Sequence, residues 1–209
     1  DYNGRTVKNA TTTVYDIDTM RYYEYVFDEE GHMLYGWQER YGQKSYYDKE
    51  TGRAYQDGLY EIDGKKYYFD SYMIQNASRF IDGCLYYFGN DGSAEKQTEV
   101  KNDGWVQMPD GWYYAQNKTI LTQQWLTING KTYYLDYEGK RLADEERYIY
   151  IPDEGGFYYR FGKSGAMITG WYTDNNGNTY YYNETGKAVN GLTEINGETY
   201  YFSYNGRVE

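Results

Sequence analysis

A single cysteine, a single histidine and the lack of any long apolar run deprive this 209-residue chain of the usual means for most chemistry. One cysteine, Cys84, excludes a disulfide framework. It sits just before a Tyr doublet, where a small apolar residue is expected to pack inward. One histidine, His32, leaves no material for a Ser-His-Asp triad, a Cys-His dyad or a His-rich metal site. No metal and no cofactor are therefore expected. No stretch approaches the roughly 18 apolar residues of a membrane-spanning helix. Positive charge is scarce as well: 21 Lys and Arg stand against 32 Asp and Glu, a net charge of -11. A nucleic-acid partner asks for a basic face, so that class is excluded and a neutral or cationic partner is expected. Aliphatic residues are few, because aromatic residues make up 21% of the chain out of 40% hydrophobic. That argues against one globular core and for a thin core of stacked rings. No apolar stripe repeats at helical spacing, and turn residues recur every ten or so positions.

What the chain has is tyrosine: 32 residues, most of them in doublets that return about every 21 positions. The doublets begin at Tyr46, Tyr67, Tyr86, Tyr113, Tyr133, Tyr158, Tyr180 and Tyr200. A glycine follows six residues after the first Tyr of most of them, at Gly52, Gly92, Gly139, Gly186 and Gly206, with Gly165 one step out of line. With Met73 and Lys118 standing where the glycine is missing, the phase runs from Gly4 to Gly206 in nine units of 19–27 residues. A fixed period of this size marks a solenoid whose units stack only on their neighbours. The expected fold is all-β: a β-hairpin solenoid of about nine stacked units, one array over 1–209. The shared phase of its two ends reads as a fragment of a longer array, without a catalytic domain.

Asn129-Gly130 lies between two runs rich in aromatic and β-branched residues, the strongest local signal for a two-residue hairpin turn. Asp63-Gly64 and Asn196-Gly197 repeat it. With that turn Trp125 pairs with Tyr134, and alternation sends Leu126, Ile128, Tyr133 and Leu135 to one face, into the stack. Longer loops give the same facing: Trp37 with Tyr47 across a loop Tyr41-Gly42-Gln43, Trp105 with Tyr114 across Met108 to Gly111, and Trp171 with Tyr181 across Asp174 to Asn178. The first Tyr of each doublet is expected in the core. Extra residues around Ala10 to Met20, Lys96 to Asp103 and Asp144 to Asp153 interrupt the period, and are expected either to bend the stack or to open clefts.

Units such as Gly58-Leu59-Tyr60-Glu61-Ile62-Asp63-Gly64-Lys65-Lys66-Tyr67-Tyr68-Phe69 resemble the cell-wall-binding repeat family. It spans choline-binding modules, glucan-binding domains of glucansucrases and the repetitive domains of large glucosylating toxins. The resemblance implies a noncatalytic, secreted or bacterial cell-surface role, with ligand sites at junctions between adjacent hairpins. A quaternary ammonium needs a cage of two or three aromatic faces. Of the residues preceding the doublets, only Trp112 and Phe157 are aromatic. Most cages would lack a wall, which favours the glucan-binding and toxin branches.

A hexose wants a flat aromatic surface with amide, hydroxyl or carboxylate groups nearby. The candidate ligand-binding residues are Trp37, Gln38 and Tyr47; Trp105, Gln107, Trp112 and Tyr114; Gln124, Trp125 and Tyr134; and Trp171, Asn175 and Tyr181. The opposing reading packs these tryptophans against the next hairpin and away from any ligand. Most carboxylates, among them Asp63, Asp110 and Asp174, fall in expected turns and read as turn formers rather than a glycosidase pair. The expected partner is an α-glucan or host glycan. The alternatives are wall attachment through choline or teichoic acid, and an adhesin or spacer that holds a surface protein with no sugar site.

Overall fold

The computed structural model describes residues 6–209, so the Tyr2 to Arg5 segment and its phase lie outside the described residues. Every regular element among the described residues is a strand, and the strands form nine separate small sheets. They fall into two compact units, one ending at Glu99 with Met108–Asp110 added, the other Val100–Gln107 with Gly111–Glu209.

The first unit contains β1 (Ala10–Asp16) with β2 (Arg21–Phe27), β3 (Gly36–Arg40) with β4 (Gln43–Tyr47), β5 (Gly58–Ile62) with β6 (Lys65–Phe69), and a three-stranded sheet of β7 (Ala77–Ile81), β8 (Cys84–Phe88) and β9 (Ala94–Glu99). The second contains β10 (Gly104–Met108), β11 (Gly111–Gln116) and the short β12 (Thr119–Ile120). Four hairpins follow: β13 (Gln124–Ile128) with β14 (Lys131–Leu135), β15 (Glu145–Ile151) with β16 (Gly155–Phe161), β17 (Gly170–Thr173) with β18 (Thr179–Tyr182), and β19 (Gly191–Ile195) with β20 (Glu198–Phe202).

The tight turns have positive φ at both central residues, as a type I′ turn requires: +51° and +73° at Asn129-Gly130, +49° and +78° at Asp63-Gly64, +53° and +84° at Asn196-Gly197. Trp125 pairs with Tyr134 and Trp171 with Tyr181, as their spacing predicts. The third facing differs. Tyr41 adopts φ +54°, so Tyr41-Gly42 is a two-residue turn rather than part of a three-residue loop. Arg40 then pairs with Gln43 and Trp37 with Tyr46, one step from the expected Tyr47. Tyr158-Tyr159 is out of frame in the opposite sense, with Phe161, two residues beyond the doublet, in the place that Leu135 takes one residue beyond its own.

Two-stranded hairpins are marginal alone, and what joins them is backbone. Each hairpin chain continues through a turn into a short bridging segment whose successive N–H groups point opposite ways. Met73 N–H donates to the Lys44 carbonyl of the preceding hairpin at 2.8 Å, and Ile74 N–H to Tyr68 of its own at 2.9 Å. Arg141 donates to Trp112 and Leu142 to Tyr134; Met167 to Thr132 and Ile168 to Arg160; Ala188 to Tyr158 and Val189 to Tyr181. Turn carboxylates and amides organise the approach: Asp48 accepts from the N–H groups of Glu50 and Thr51, Asp136 from Glu138 and Lys140, and Asn183 from Thr185 and Lys187.

The deepest core row lies one residue beyond most doublets: Phe69, Phe88, Ala115, Leu135 and Tyr182 are fully buried and Phe202 nearly so, with Tyr47 and Phe161 in that place in the two shifted hairpins. Of the first tyrosines, Tyr46, Tyr86 and Tyr113 are buried as expected, whereas Tyr67, Tyr133, Tyr158, Tyr180 and Tyr200 are only half-buried. Cys84 is half-buried at the start of β8, near the Gln97 amide (Nε2 to Sγ 3.3 Å). Two of the three insertions border hollows within their unit: Ala10 and Thr11 one of about 260 Å³, Lys96 and Gln97 one of about 430 Å³. The insertions lengthen β1–β2 and β15–β16 to seven residues per strand and help supply β9 as a third strand.

The periodic glycine has two reasons at once. At Gly92 and Gly186 φ is +81° and +80°, and a Cβ there would collide with the sulfur of Met73 or Met167 on the preceding bridging segment. Lys118 fills the same place at φ +61°, while Met73 belongs to the bridge, because the turn before it is shorter. Gly130, by contrast, has φ +73° with open space where a Cβ would stand. Gly186→Ala is expected to cost about 2–5 kcal/mol, backbone strain plus overpacking, and Gly130→Ala about 1–3 kcal/mol from strain alone. Thermal denaturation of the two variants checks the ordering.

Candidate aromatic ligand site

Four tryptophans repeat one arrangement. Each indole stands edge-on to the Tyr opposite it in its own hairpin and edge-on to a Tyr of the next, the first of its doublet in three cases and the second, Tyr159, in the fourth. The ring centroids of Trp37 lie 5.2 Å from Tyr46 and 4.9 Å from Tyr67; those of Trp105, 5.1 Å from Tyr114 and 5.2 Å from Tyr133. Trp125 lies 4.9 Å from Tyr134 and 4.8 Å from Tyr159, and Trp171 5.0 Å from both Tyr181 and Tyr200. In three of the four, a Phe two residues beyond the next hairpin's Tyr lies 6.0 Å away: Phe69, Phe161 and Phe202. Edge-to-face contacts of this kind add about 0.5–1.5 kcal/mol each beyond burial.

The indoles are not sealed. Trp37 is 38% exposed and Trp171 43%. Beside Trp37 a cleft of about 300 Å³ is lined by Tyr67, Met73 and Lys44, with Gln38, Glu39 and Asp91. Beside Trp125 one of about 380 Å³ is lined by Tyr159, Met167, Thr132 and Ile151, with Glu154, Glu184, Thr185 and Lys187. Both join an apolar ring surface to a polar set, and both take the same positions from successive hairpins.

The other expected site residues are distributed unevenly. Tyr47 is 2% exposed and donates its hydroxyl to Glu24 at 2.7 Å; it borders a separate hollow of about 260 Å³ and not the Trp37 cleft. The one-step register difference puts it there, and Tyr46 takes its place. Gln38 lines the Trp37 cleft, with its amide donating to the Tyr35 carbonyl at 3.0 Å. Gln124 donates to the Thr122 carbonyl instead, Gln107 shares the strand face of Trp105 on β10, and Asn175 is exposed in the loop after β17. Trp112 faces the Arg141 guanidinium, 5.9 Å from its ring centroid. Sequence reasoning missed Tyr67, Tyr133 and Tyr200, assigned to the core as first tyrosines of their doublets, together with Tyr159 and the bridging residues Met73, Arg141 and Met167. Each of the latter pairs with the buried residue that closes its hairpin, Phe69, Leu135 or Phe161.

Burial pushes the Tyr134 phenol up and that of Tyr159 up to about 12, so both hydroxyls remain neutral donors across the physiological range. Asp91 is held down to about 2, chiefly by the Ser93 hydroxyl and backbone N–H, then by Lys65. Asp28, Glu30 and His32 bring potential metal-ligand atoms within 4.8 Å of one another. The Asp28 carboxylate already accepts from the N–H groups of Glu30 and His32, which makes it a turn former.

Five segments, 57–71, 79–94, 123–140, 169–188 and 190–207, match the family described as Putative cell wall binding repeat. Glucosyltransferase-S of Streptococcus mutans serotype c is 30% identical over 82% of this chain and 14% of its own length. Glucosyltransferase-I of Streptococcus downei is 26% identical over 88% of this chain and 14% of its own. The chain thus spans about one seventh of the length of these relatives. Toxin A of Clostridium novyi is 29% identical over 60% of the chain and 6% of its own length. Among solved structures, choline binding protein F from Streptococcus pneumoniae is similar at 26% identity, covering 90% of this chain and 62% of that one, with a TM-score of 0.43.

The depressed Asp91 pKa fixes a sign. A carboxyl lowered in the folded state stabilises it above the unfolded value near 3.8, and that stabilisation is lost as pH falls toward about 2. The melting temperature is expected to fall between about pH 4 and 2, and to fall less in Ser93→Ala, because the largest contribution to the shift is then absent. Melting curves across that window check it.

Proposed function

We propose, on the premise that this chain carries repeats of the cell wall binding family, that it is a noncatalytic carbohydrate-binding module. Its hairpins form one solenoid array over 1–209 and hold an α-glucan or host glycan at the aromatic clefts between adjacent hairpins. One observation carries this reading: the same indole, wedged between phenols of successive hairpins, recurs with an open, polar-lined cleft beside Trp37 and beside Trp125. A sugar stacks its C–H face on such a ring and hydrogen-bonds at its edge.

The cation alternative finds less support at these clefts. Where a third aromatic wall would stand, the Trp37 cleft has Lys44 and the Trp125 cleft has Thr132. A lysine there repels a quaternary ammonium and suits a neutral, hydroxyl-rich ligand. The relatives named glucosyltransferase, matched only over this repeat region, fit a glucan as the polymer. A secreted or surface position in a bacterium follows from that partner. No helix among the described residues is long and apolar enough to cross a membrane.

A single cleft of this kind binds at about millimolar strength, about 4 kcal/mol, and a polymer engaging several gains about 10²-fold or more by avidity. The chain is expected to be retained on immobilised dextran or starch and released by soluble oligosaccharide, not by choline. Trp37→Ala and Trp125→Ala should each cut retention about tenfold with the circular dichroism unchanged. Elution by choline alone would move the assignment to wall attachment through choline or teichoic acid.

A further inference from the structure

The β10–β11 hairpin differs from the others in a way that bears on cations. Trp105 lies on β10 and Trp112 on β11, and Tyr133 of the next hairpin lies 5.2 Å from Trp105. Here three aromatic rings gather where the Trp37 and Trp125 clefts have two. Three electron-rich faces form the arrangement that holds an organic cation.

That place is already taken. The Arg141 guanidinium carbon stands 5.4 Å from the Trp105 ring centroid and 5.9 Å from that of Trp112, both within cation–π range. Arg141 arrives on the bridging segment, its N–H donating to the Trp112 carbonyl at 2.7 Å, just as Met73 donates to Lys44 and Met167 to Thr132. Its backbone position is therefore that of the two methionines, and only the side chain differs. Gly165 closes over it as Gly92 and Gly186 close over the methionines. Its Nε is buried and finds no hydrogen-bond partner. A buried, unpartnered N–H is costly unless something else holds the group in place. The rings supply that hold. Burial also lowers the Arg141 pKa, yet a guanidinium keeps its charge throughout the physiological range.

We propose that Arg141 is a resident ligand of this cage: its side chain occupies the three-ring site as a cation would and closes it to quaternary ammonium compounds from solution. A methionine at this position, neutral and flexible, leaves the rings free. The cage shares no lining residue with the Trp37 and Trp125 clefts, so the inference stands whether or not those clefts hold sugar.

Choline chloride is the probe, titrated against the full chain and followed by tryptophan fluorescence and calorimetry. In the wild type Trp112→Ala is expected to leave the choline titration unchanged, because the cage is closed. Arg141→Met is expected to gain at least tenfold in choline affinity at one additional site, and Arg141→Met/Trp112→Ala to lose that gain. Arg141→Lys, which keeps a cation on the bridge, should behave as the wild type. The proposal is overturned if Trp112→Ala weakens choline binding by the wild-type chain, since the cage would then be open. It is equally overturned if folded Arg141→Met binds no more choline than the wild type. The first comparison does not depend on Arg141→Met folding, so a loss of structure in that variant leaves a decisive measurement.

Discussion

Everything in this chain depends on two consecutive backbone N–H groups that point opposite ways. A hairpin of five-residue strands has too little buried surface to persist in water. In the bridging segments after β4, β6, β14, β16, β18 and β20, one N–H closes onto the hairpin just completed and its neighbour closes onto the hairpin before. The alternation of an extended chain, normally used to sort side chains, here joins successive hairpins within a unit. Since the link is main chain to main chain, it tolerates methionine, arginine or alanine at the bridging position. Those side chains are then free to vary with ligand.

The link also sets where rings meet. Holding a Tyr of one hairpin against the previous hairpin's Trp requires a fixed offset between them, and the centroid distances of 4.8–5.2 Å in four separate places show that the offset repeats. An indole fixed edge-on between two phenols has little freedom to move. A ligand that stacks on it meets a surface already in position, so less ordering opposes binding. On the proposed function the same packing is at once structural and ligand-holding, and neither the burial reading nor the ligand reading of the tryptophans excludes the other.

The sequence made the hairpins legible and the links between them largely illegible. Asn129-Gly130 fixes a turn, and with it every pair from Ile128–Lys131 to Trp125–Tyr134, because only a few residues accept positive φ in succession. Tyr41-Gly42 conceals the same turn, since tyrosine gives no sign that it will adopt φ +54°, and the error shifted Trp37 from Tyr46 to Tyr47. The bridging residues carry no local signature at all: Met73 and Lys44 meet across a long stretch of chain through a single hydrogen bond. The glycines were read as a period without a cause. Their cause is a contact with the bridging side chain one unit earlier, which only the assembled structure reveals.

That contact explains how one repeat can serve different ligand chemistries without changing its backbone. The bridging residue lies under a glycine, beside an indole and opposite a residue on the second strand of the hairpin before it. Its side chain therefore forms the floor of each cleft. With Met73 or Met167 the floor is apolar, and the wall opposite, Lys44 or Thr132, decides what enters. With Arg141 the floor is a cation and the wall is Trp112, so attraction that would have gone to a ligand is satisfied internally. A charge held by a covalent tether competes at a high effective concentration, which a millimolar ligand in solution does not match. On the proposed reading two positions, the bridging residue and the residue whose carbonyl it reaches in the hairpin before, set the chemistry of a cleft, while the glycine and the backbone link that frame them stay the same.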